Sequence, residues 1–305
     1  MQSAFAVPIA SSSALAAEPN LVLRLTEKEE IVDRWSVATG APVWQTTFPN
    51  HHHVRCERGQ AGDHLLSFGR EAAFHLDRDA GVLLCAPADP ESLGWQRFLL
   101  DTVLQCVSLI RGFEALHASA ISAPEGIAAF VAAPGGGKSA LAAELVRRGH
   151  SLFSDDVLAL SRADGEVLAH AGPPLMTLAA DESAAMDQMG DSLGVLPDDG
   201  TSWVRIRRAG GDPQPLAKLF VLDRRRGEQT RAIQEPVGGG RLLPHMLSLN
   251  RDPARALSRS GLLTELVDGV PVYRLEVAED GELAELAATV EDNLKASSLE
   301  AEPVG

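Results

Sequence analysis

Lys138 and Ser139 close the run Ala132-Ala133-Pro134-Gly135-Gly136-Gly137-Lys138-Ser139, and the chemistry of that run is polyphosphate binding. Consecutive glycines let successive backbone N–H groups curve around phosphate oxygens where a helix begins. A lysine at that point neutralises the β- and γ-phosphates of a nucleoside triphosphate, and the hydroxyl after it ligates Mg²⁺. The run fits G-x-x-x-x-G-K-[ST] with Ala132 in place of the first glycine. Pro134, Gly135, Gly136, Gly137, Lys138, Ser139 and Ala140 are therefore the expected nucleotide-binding residues, with ATP and Mg²⁺ as cofactors. The plainer alternative is a glycine-rich turn that only caps a helix.

Asp155-Asp156 stands 17 residues beyond Lys138, directly after Leu152-Phe153-Ser154. In many proteins with such a loop, an acidic residue ending a neighbouring strand helps to hold Mg²⁺. Two adjacent carboxylates add a division of labour: one holds metal-bound water and the other takes a proton from a hydroxyl. Taken alone, the pair reads equally well as a solvated strand end. His117, in Leu116-His117-Ala118-Ser119-Ala120, draws interest only from its place on the strand before the glycine-rich loop. A lone strand histidine is more often a satisfied core residue.

The elements that must position these groups are legible as patterns. Leu116–Ile121 and Ile127–Ala133 read as two buried strands of a hairpin around Pro124-Glu125-Gly126, and Ser139–Arg148 reads as a helix ended by Gly149. Leu152-Phe153 and Val157–Leu160 follow as strand material, so strand, glycine-rich loop, helix and strand make an α/β signature. Farther on, Trp203–Arg208, Leu216–Asp223 and Val270–Val277 are expected strands. Ala254–Val267 and Gly281–Leu294 are expected helices, with Arg241–Leu247 a weaker one because of Pro244. Gly238-Gly239-Gly240 reads as a flexible junction. Upstream, Leu21–Leu25, Ile31–Val37 and Ala73–Leu76 alternate as half-buried strands do, and Trp95–Phe113 carries apolar residues at helical spacing. The division expected is a β-rich region over 1–92, a candidate for substrate binding, a catalytic domain over 93–296 and a disordered tail over 297–305.

Composition narrows the function classes. The chain has 305 residues with 27 Lys+Arg against 42 Asp+Glu, a formal net charge of −15. That balance argues against nucleic acid as a partner, since binding its backbone takes surplus cations. Three cysteines without a CxxC pair fit a reducing cytoplasm better than a disulfide framework. No apolar run of 18 residues suggests a membrane span, and Met1–Asn20 reads as a frayed terminus rather than a signal peptide. His51-His52-His53 with Cys56 reads as an exposed polar loop, not a metal site, because consecutive histidines point in different directions. Arg224-Arg225-Arg226 reads as a solvated strand end, and Trp35, Trp44, Trp95 and Trp203 as core or interface aromatics.

The stretch from Leu116 to Leu160 resembles the catalytic domain of bacterial HPr kinase/phosphorylase. His117-Ala118, the loop through Ser139, Arg148-Gly149-His150 and Asp155-Asp156 stand in that family's order. The resemblance implies an α/β fold, a P-loop kinase domain of the HPr kinase/phosphoenolpyruvate carboxykinase type with a β-rich N-terminal region. It implies transfer of the γ-phosphoryl group of ATP to a serine of a peptide or protein. Asp155 would act as base on the serine hydroxyl, His117 would hydrogen-bond that carboxylate, and Asp156 with Ser139 would support Mg²⁺. An arginine beside the transferring phosphoryl is also implied, with Arg205, Arg207 and Arg208 as candidates. Ala140 stands where the phosphocarrier kinases carry an acidic residue, and the segment Glu-Ile-Arg-Gly-Leu-Gly has no counterpart. The resemblance is therefore closest to the stand-alone proteins that phosphorylate a C-terminal serine of lasso-peptide precursors. Because the related kinases form rings of subunits, it is compatible with a homo-oligomer. A small-molecule kinase of the same fold and a nucleotide sensor without transfer are the competing readings.

Overall fold

The structure is a computed structural model that describes residues 21–47, 53–179, 190–196, 200–206, 211–225, 230–234, 239–248, 253–278 and 281–300. The chain forms two compact units. The first comprises Met1–Phe113, Leu196–Asp199 and Ser248–Ala256, and the second the remainder.

In the first unit, β1 (Val22–Leu25), β2 (Trp44–Thr47), β3 (His53–Arg58), β4 (His64–Phe68), β5 (Ala72–Leu76) and β6 (Val82–Pro87) build one sheet in the order β1-β6-β5-β4-β3-β2. Only β1 and β6 run parallel; the others form an antiparallel meander. The strand expected at Ile31–Val37 is instead helix α1 (Lys28–Arg34). Its first turn carries Glu29 and Glu30, which suit a helix N-terminus, and Ile31 buries against Leu84 and Ala86. Tertiary burial of one isoleucine outweighs a weak alternating pattern.

The expected helix over 95–113 is α2 (Leu93–Phe98), a π-type turn (Leu99–Val103) and α3 (Leu104–Ile110). Ser92 caps it, its hydroxyl accepting from Gly94 N–H at 3.2 Å. Phe98 stacks on Phe68 with ring centroids 4.1 Å apart, which ties this helix to the first sheet. The boundary therefore falls after Phe113 and not at residue 92. Residues 1–20, His51 and His52 lie outside the described residues. His53 is exposed while Cys56 is buried on the other face of β3, so the two do not converge.

The second unit is α/β. Its strands are β7 (Glu114–Leu116), β8 (Ser119–Ala123), β9 (Gly126–Val131), β10 (Ser151–Ser154), β11 (Leu158–Ala163), β12 (Glu166–His170), β13 (Leu175–Leu178), β14 (Gly190–Val195), β15 (Ser202–Ile206), β16 (Gln214–Arg225), β17 (Arg231–Gln234) and β18 (Val272–Ala278). Its helices are α4 (Lys138–Arg147), α5 (Pro253–Gly269, entering from the first unit) and α6 (Leu283–Glu300). The parallel centre is β9-β16-β18, with Phe130, Phe220 and Tyr273 in register and stacked at 5.6 and 5.4 Å. Along β9 the side chains alternate between two cores. Ala128 and Phe130 face α4 and α6, whereas Ile127, Ala129 and Val131 share the other core with Leu262 and Leu266 of α5. A strand apolar on both faces is what a helix-covered parallel sheet demands.

Antiparallel β8 and β10 extend this sheet on one side, while β12, β11 and β7 join it through the start of β16. A separate three-stranded sheet runs β13-β15-β14. Two expectations change. Gly239 and Gly240 open a helical turn (Gly239–Leu242) rather than a loose junction, and α6 continues to Glu300 into the stretch expected as a disordered tail. Among the described residues no helix is long and apolar enough to cross a membrane.

Candidate functional site

The hairpin β8–β9 is closed by Pro124 and Glu125, and β9 delivers the chain to the glycine-rich loop. The loop folds on itself through Gly136 N–H, which donates to the Ala133 carbonyl at 2.9 Å. Gly135 has φ +71° and Gly137 φ +91°, a left-handed backbone that glycine adopts without penalty. At Gly136 the need is space: a Cβ there would lie 2.6 Å from the Ala132 Cβ and 2.8 Å from the Ala133 carbonyl oxygen. Ala133, Pro134 and Gly135 are exposed, Ala140 is half-buried, and α4 starts at Lys138. The first-turn N–H groups of a helix have no carbonyl within it to donate to, so they are available to an anion.

Lys138 is 6% exposed, and its ammonium donates to His117 Nε2 at 3.2 Å. His117 does not lie on a strand; it occupies the break between β7 and β8. Its Nδ1 is 2.9 Å from the Asp156 carbonyl oxygen, which can only accept, so Nδ1 carries the proton and Nε2 offers its lone pair to Lys138. The expected bond from His117 to the Asp155 carboxylate is absent, because the Asp156 carbonyl and Lys138 occupy both ring nitrogens.

Asp155 and Asp156 follow β10 in a tight turn. Val157 N–H donates to the Asp155 carbonyl at 2.8 Å, and Asp156 between them has φ +63°. A three-residue turn with positive φ is a strained geometry of the kind held at functional sites. It is fixed by the Asp156 carbonyl, which accepts from the His117 ring and from Ala118 N–H at 3.2 Å.

The Asp155 carboxylate points to the loop. Its Oδ1 accepts from Ser119 Oγ at 2.6 Å and from Ser139 Oγ at 2.9 Å, and Thr177 N–H lies 3.5 Å from Oδ2. Loss of hydration first, then the neighbouring Asp156 charge, push its pKa from the ordinary 3.8 up to about 7, against the pull of those donors. Among the described residues no protein donor reaches the Asp156 carboxylate. The serine of the loop is thus paired with Asp155, where Asp156 was expected. Ser139 hydroxyl and Asp155 carboxylate are hard oxygen ligands, the kind Mg²⁺ takes while keeping waters and phosphate oxygens for its remaining positions. Among the described residues no group of three or more His, Cys, Asp or Glu is placed to hold a metal ion.

Arg205 lies on β15, opposite Leu175 of β13 and Asp191 of β14, and its Nε is buried with no hydrogen-bond partner among the described residues. Arg207 and Arg208 lie outside the described residues, and Arg224 and Arg225 end β16. Three groups at the site escaped sequence reasoning: Ser119, the Thr177 amide and His245, whose carbonyl accepts from His117 N–H at 2.7 Å. Ser119 had a signal, since it stands two residues after His117 in a strand-like run. Thr177 acts through its backbone, which no side-chain motif reveals.

No family model and no curated protein sequence matches the chain. Among solved structures it is similar to the Hpr(Ser) kinase/phosphatase from Coxiella burnetii, at 12% identity and a TM-score of 0.34. That alignment covers 61% of this chain and 94% of the other. No activity is carried over at that level.

Proposed function

We propose that the second unit is an ATP- and Mg²⁺-dependent phosphotransferase that phosphorylates a serine hydroxyl of a peptide or protein. The observation that carries the reading is the 2.9 Å bond from Ser139 to Asp155, with Lys138 buried one residue away at the start of α4. A loop that merely capped a helix would need neither a buried lysine nor a carboxylate opposite its hydroxyl.

The roles follow from the donors each group already has. The loop and Lys138 hold the phosphates, and the neutral His117 ring aims the ammonium. Ser139 and Asp155 would hold Mg²⁺, which when bound neutralises charge on the phosphates. Asp156, whose carboxylate meets no protein donor among the described residues, is left to take the proton of the attacking hydroxyl, so the two aspartates exchange the roles first expected. The acceptor of first choice is a lasso-peptide precursor ending in serine.

The test is incubation of the full chain with γ-labelled ATP, Mg²⁺ and such a peptide, read by mass spectrometry. The expected result is one phosphate on the terminal serine, absent with Lys138→Ala. Asp156→Asn should lose rate while retaining Mg²⁺-ATP affinity, and Asp155→Asn should lose both. Binding of ATP without transfer to any serine peptide would reject the acceptor class, and no binding would reject the reading.

A further inference from the structure

Ser119 is fully buried at the start of β8, between the apolar neighbours Ala118 and Ala120. A hydroxyl placed in a core is costly unless it is hydrogen-bonded, and this one donates to Asp155 Oδ1 at 2.6 Å. Ser119 stands opposite Phe130 of β9, which packs toward α4, so the serine lies on the side of the sheet that carries the start of that helix.

The sheet brings the two residues together. β8 is paired on both edges, to β9 and to β10. Along β10, Leu152 lies opposite Ile121 and Ser154 opposite Ala120, so the register shifts between them. Two residues of β10 advance there for one of β8, and a bulge of that kind re-aims the side chains that follow. The next residue is Asp155, delivered beside Ser119.

Oδ1 of Asp155 thus accepts from two hydroxyls of different origin. Ser139 belongs to the first turn of α4 and is itself an expected cation ligand, whereas Ser119 is enclosed in the sheet. Among the described residues Oδ2 meets only Thr177 N–H at 3.5 Å, a contact at the limit of a hydrogen bond. The firm hold on this carboxylate that does not depend on the nucleotide loop is therefore Ser119.

We propose that Ser119 is a positioning residue for the divalent cation, its hydroxyl holding the Asp155 carboxylate toward Ser139 before Mg²⁺ and nucleotide arrive. The proposal rests on the Mg²⁺-nucleotide reading above and extends it to a residue outside the loop and the aspartate pair. Without this donor the carboxylate is free to rotate, and orienting it becomes part of the cost of cation binding. Partners that orient metal ligands act in this way, and losing one weakens metal affinity about 10–100-fold. Because Ser119 is buried and acts through Asp155, its removal should be felt through the cation.

The experiment is calorimetric titration of the full chain with a non-hydrolysable ATP analogue, in EDTA and across a series of Mg²⁺ concentrations. In the wild type Mg²⁺ should tighten the analogue. Ser119→Ala should leave the affinity in EDTA within ~2-fold and raise the Mg²⁺ concentration for half of the tightening ~10-fold or more. Ser119→Thr, which keeps the hydroxyl, should recover most of the loss; Ser119→Cys, similar in size but a weak donor, should not. In label transfer, the rate lost by Ser119→Ala should return as Mg²⁺ is raised, with the peptide KM unchanged.

Weakening in EDTA as large as in Mg²⁺ marks a merely structural serine and overturns the proposal. So do an unchanged Mg²⁺ dependence, a rate that Mg²⁺ does not restore, or a Ser119→Thr variant no better than Ser119→Ala. A wild-type chain that binds no analogue, or binds it without regard to Mg²⁺, overturns the Mg²⁺-nucleotide reading and this proposal with it. A wild type tightened by Mg²⁺ beside an indifferent Ser119→Ala sinks the proposal alone.

Discussion

Asp155→Asn separates what the site demands from what the fold would choose. Burial, then the Asp156 charge, carry the Asp155 carboxyl from 3.8 to about 7. At about 1.36 kcal/mol per tenfold change in proton affinity, ionised Asp155 costs the native state at most roughly 4 kcal/mol. Relaxation and water access reduce this, and about 1–3 kcal/mol is expected. Between these two pKa values the native chain binds a proton that the unfolded chain has released. Stability therefore falls as pH rises from about 4 to about 7, and the cost is complete above the upper value.

An asparagine has no such titration. It keeps an oxygen for Ser119 and Ser139 and gives up only the long 3.5 Å contact to Thr177. Thermal unfolding in EDTA without nucleotide should show the gap between variant and wild type widening from pH 5 to pH 8. The variant should gain about 2–8 °C at the upper pH relative to the lower. Phosphoryl transfer should fall at least ~100-fold if, as proposed, the carboxylate neutralised is the one that would hold Mg²⁺. Parallel melting curves across that pH range would refute the assignment of Asp155 as a strained, water-stripped carboxylate. A stabilised variant with full activity would refute its place at the cation.

Other perturbations test separate parts. Lys138→Ala removes the ammonium that meets His117, and it should weaken ATP binding ~10-fold or more and reduce transfer at least ~100-fold, measured by calorimetry and by label transfer. Gly136→Ala forces a Cβ to within 2.6 Å of Ala132 Cβ, so it should cost about 1–3 kcal/mol in denaturant unfolding and impair nucleotide binding. Gly135→Ala meets open space and should cost only about 1 kcal/mol for its φ of +71°. In the first unit, Asp63→Ala leaves the Ser36 hydroxyl and the His75 ring without their buried acceptor. It should lower stability by roughly 2–3 kcal/mol in urea titration, with nucleotide binding by the second unit as the control.

The glycine-rich loop, its strand and α4 were legible because their determinants are local. Three glycines, a lysine and a hydroxyl stand consecutively, β9 is an unbroken apolar run, and Gly149 with φ +106° ends the helix where sequence placed the stop. The Asp155-Asp156 pair was visible for the same reason, as adjacent residues at a strand end. Local pattern failed where burial comes from a distant partner. Ile31 turned a strand-like run into α1 by packing on Leu84 and Ala86, and Phe98 moved a boundary by stacking on Phe68.

The division of labour within the site was also beyond the sequence. Which aspartate faces Ser139 depends on a turn with φ +63° at Asp156, and that turn is held by a histidine ring 39 residues away. His245 enters through main-chain bonds to β7, which its own sequence neighbourhood does not encode. Sequence alone determined which reactive groups the chain owns and which local elements carry them. Tertiary structure decided which of those groups meet, because hydrogen bonds and burial depend on positions in space that only the assembled sheet provides.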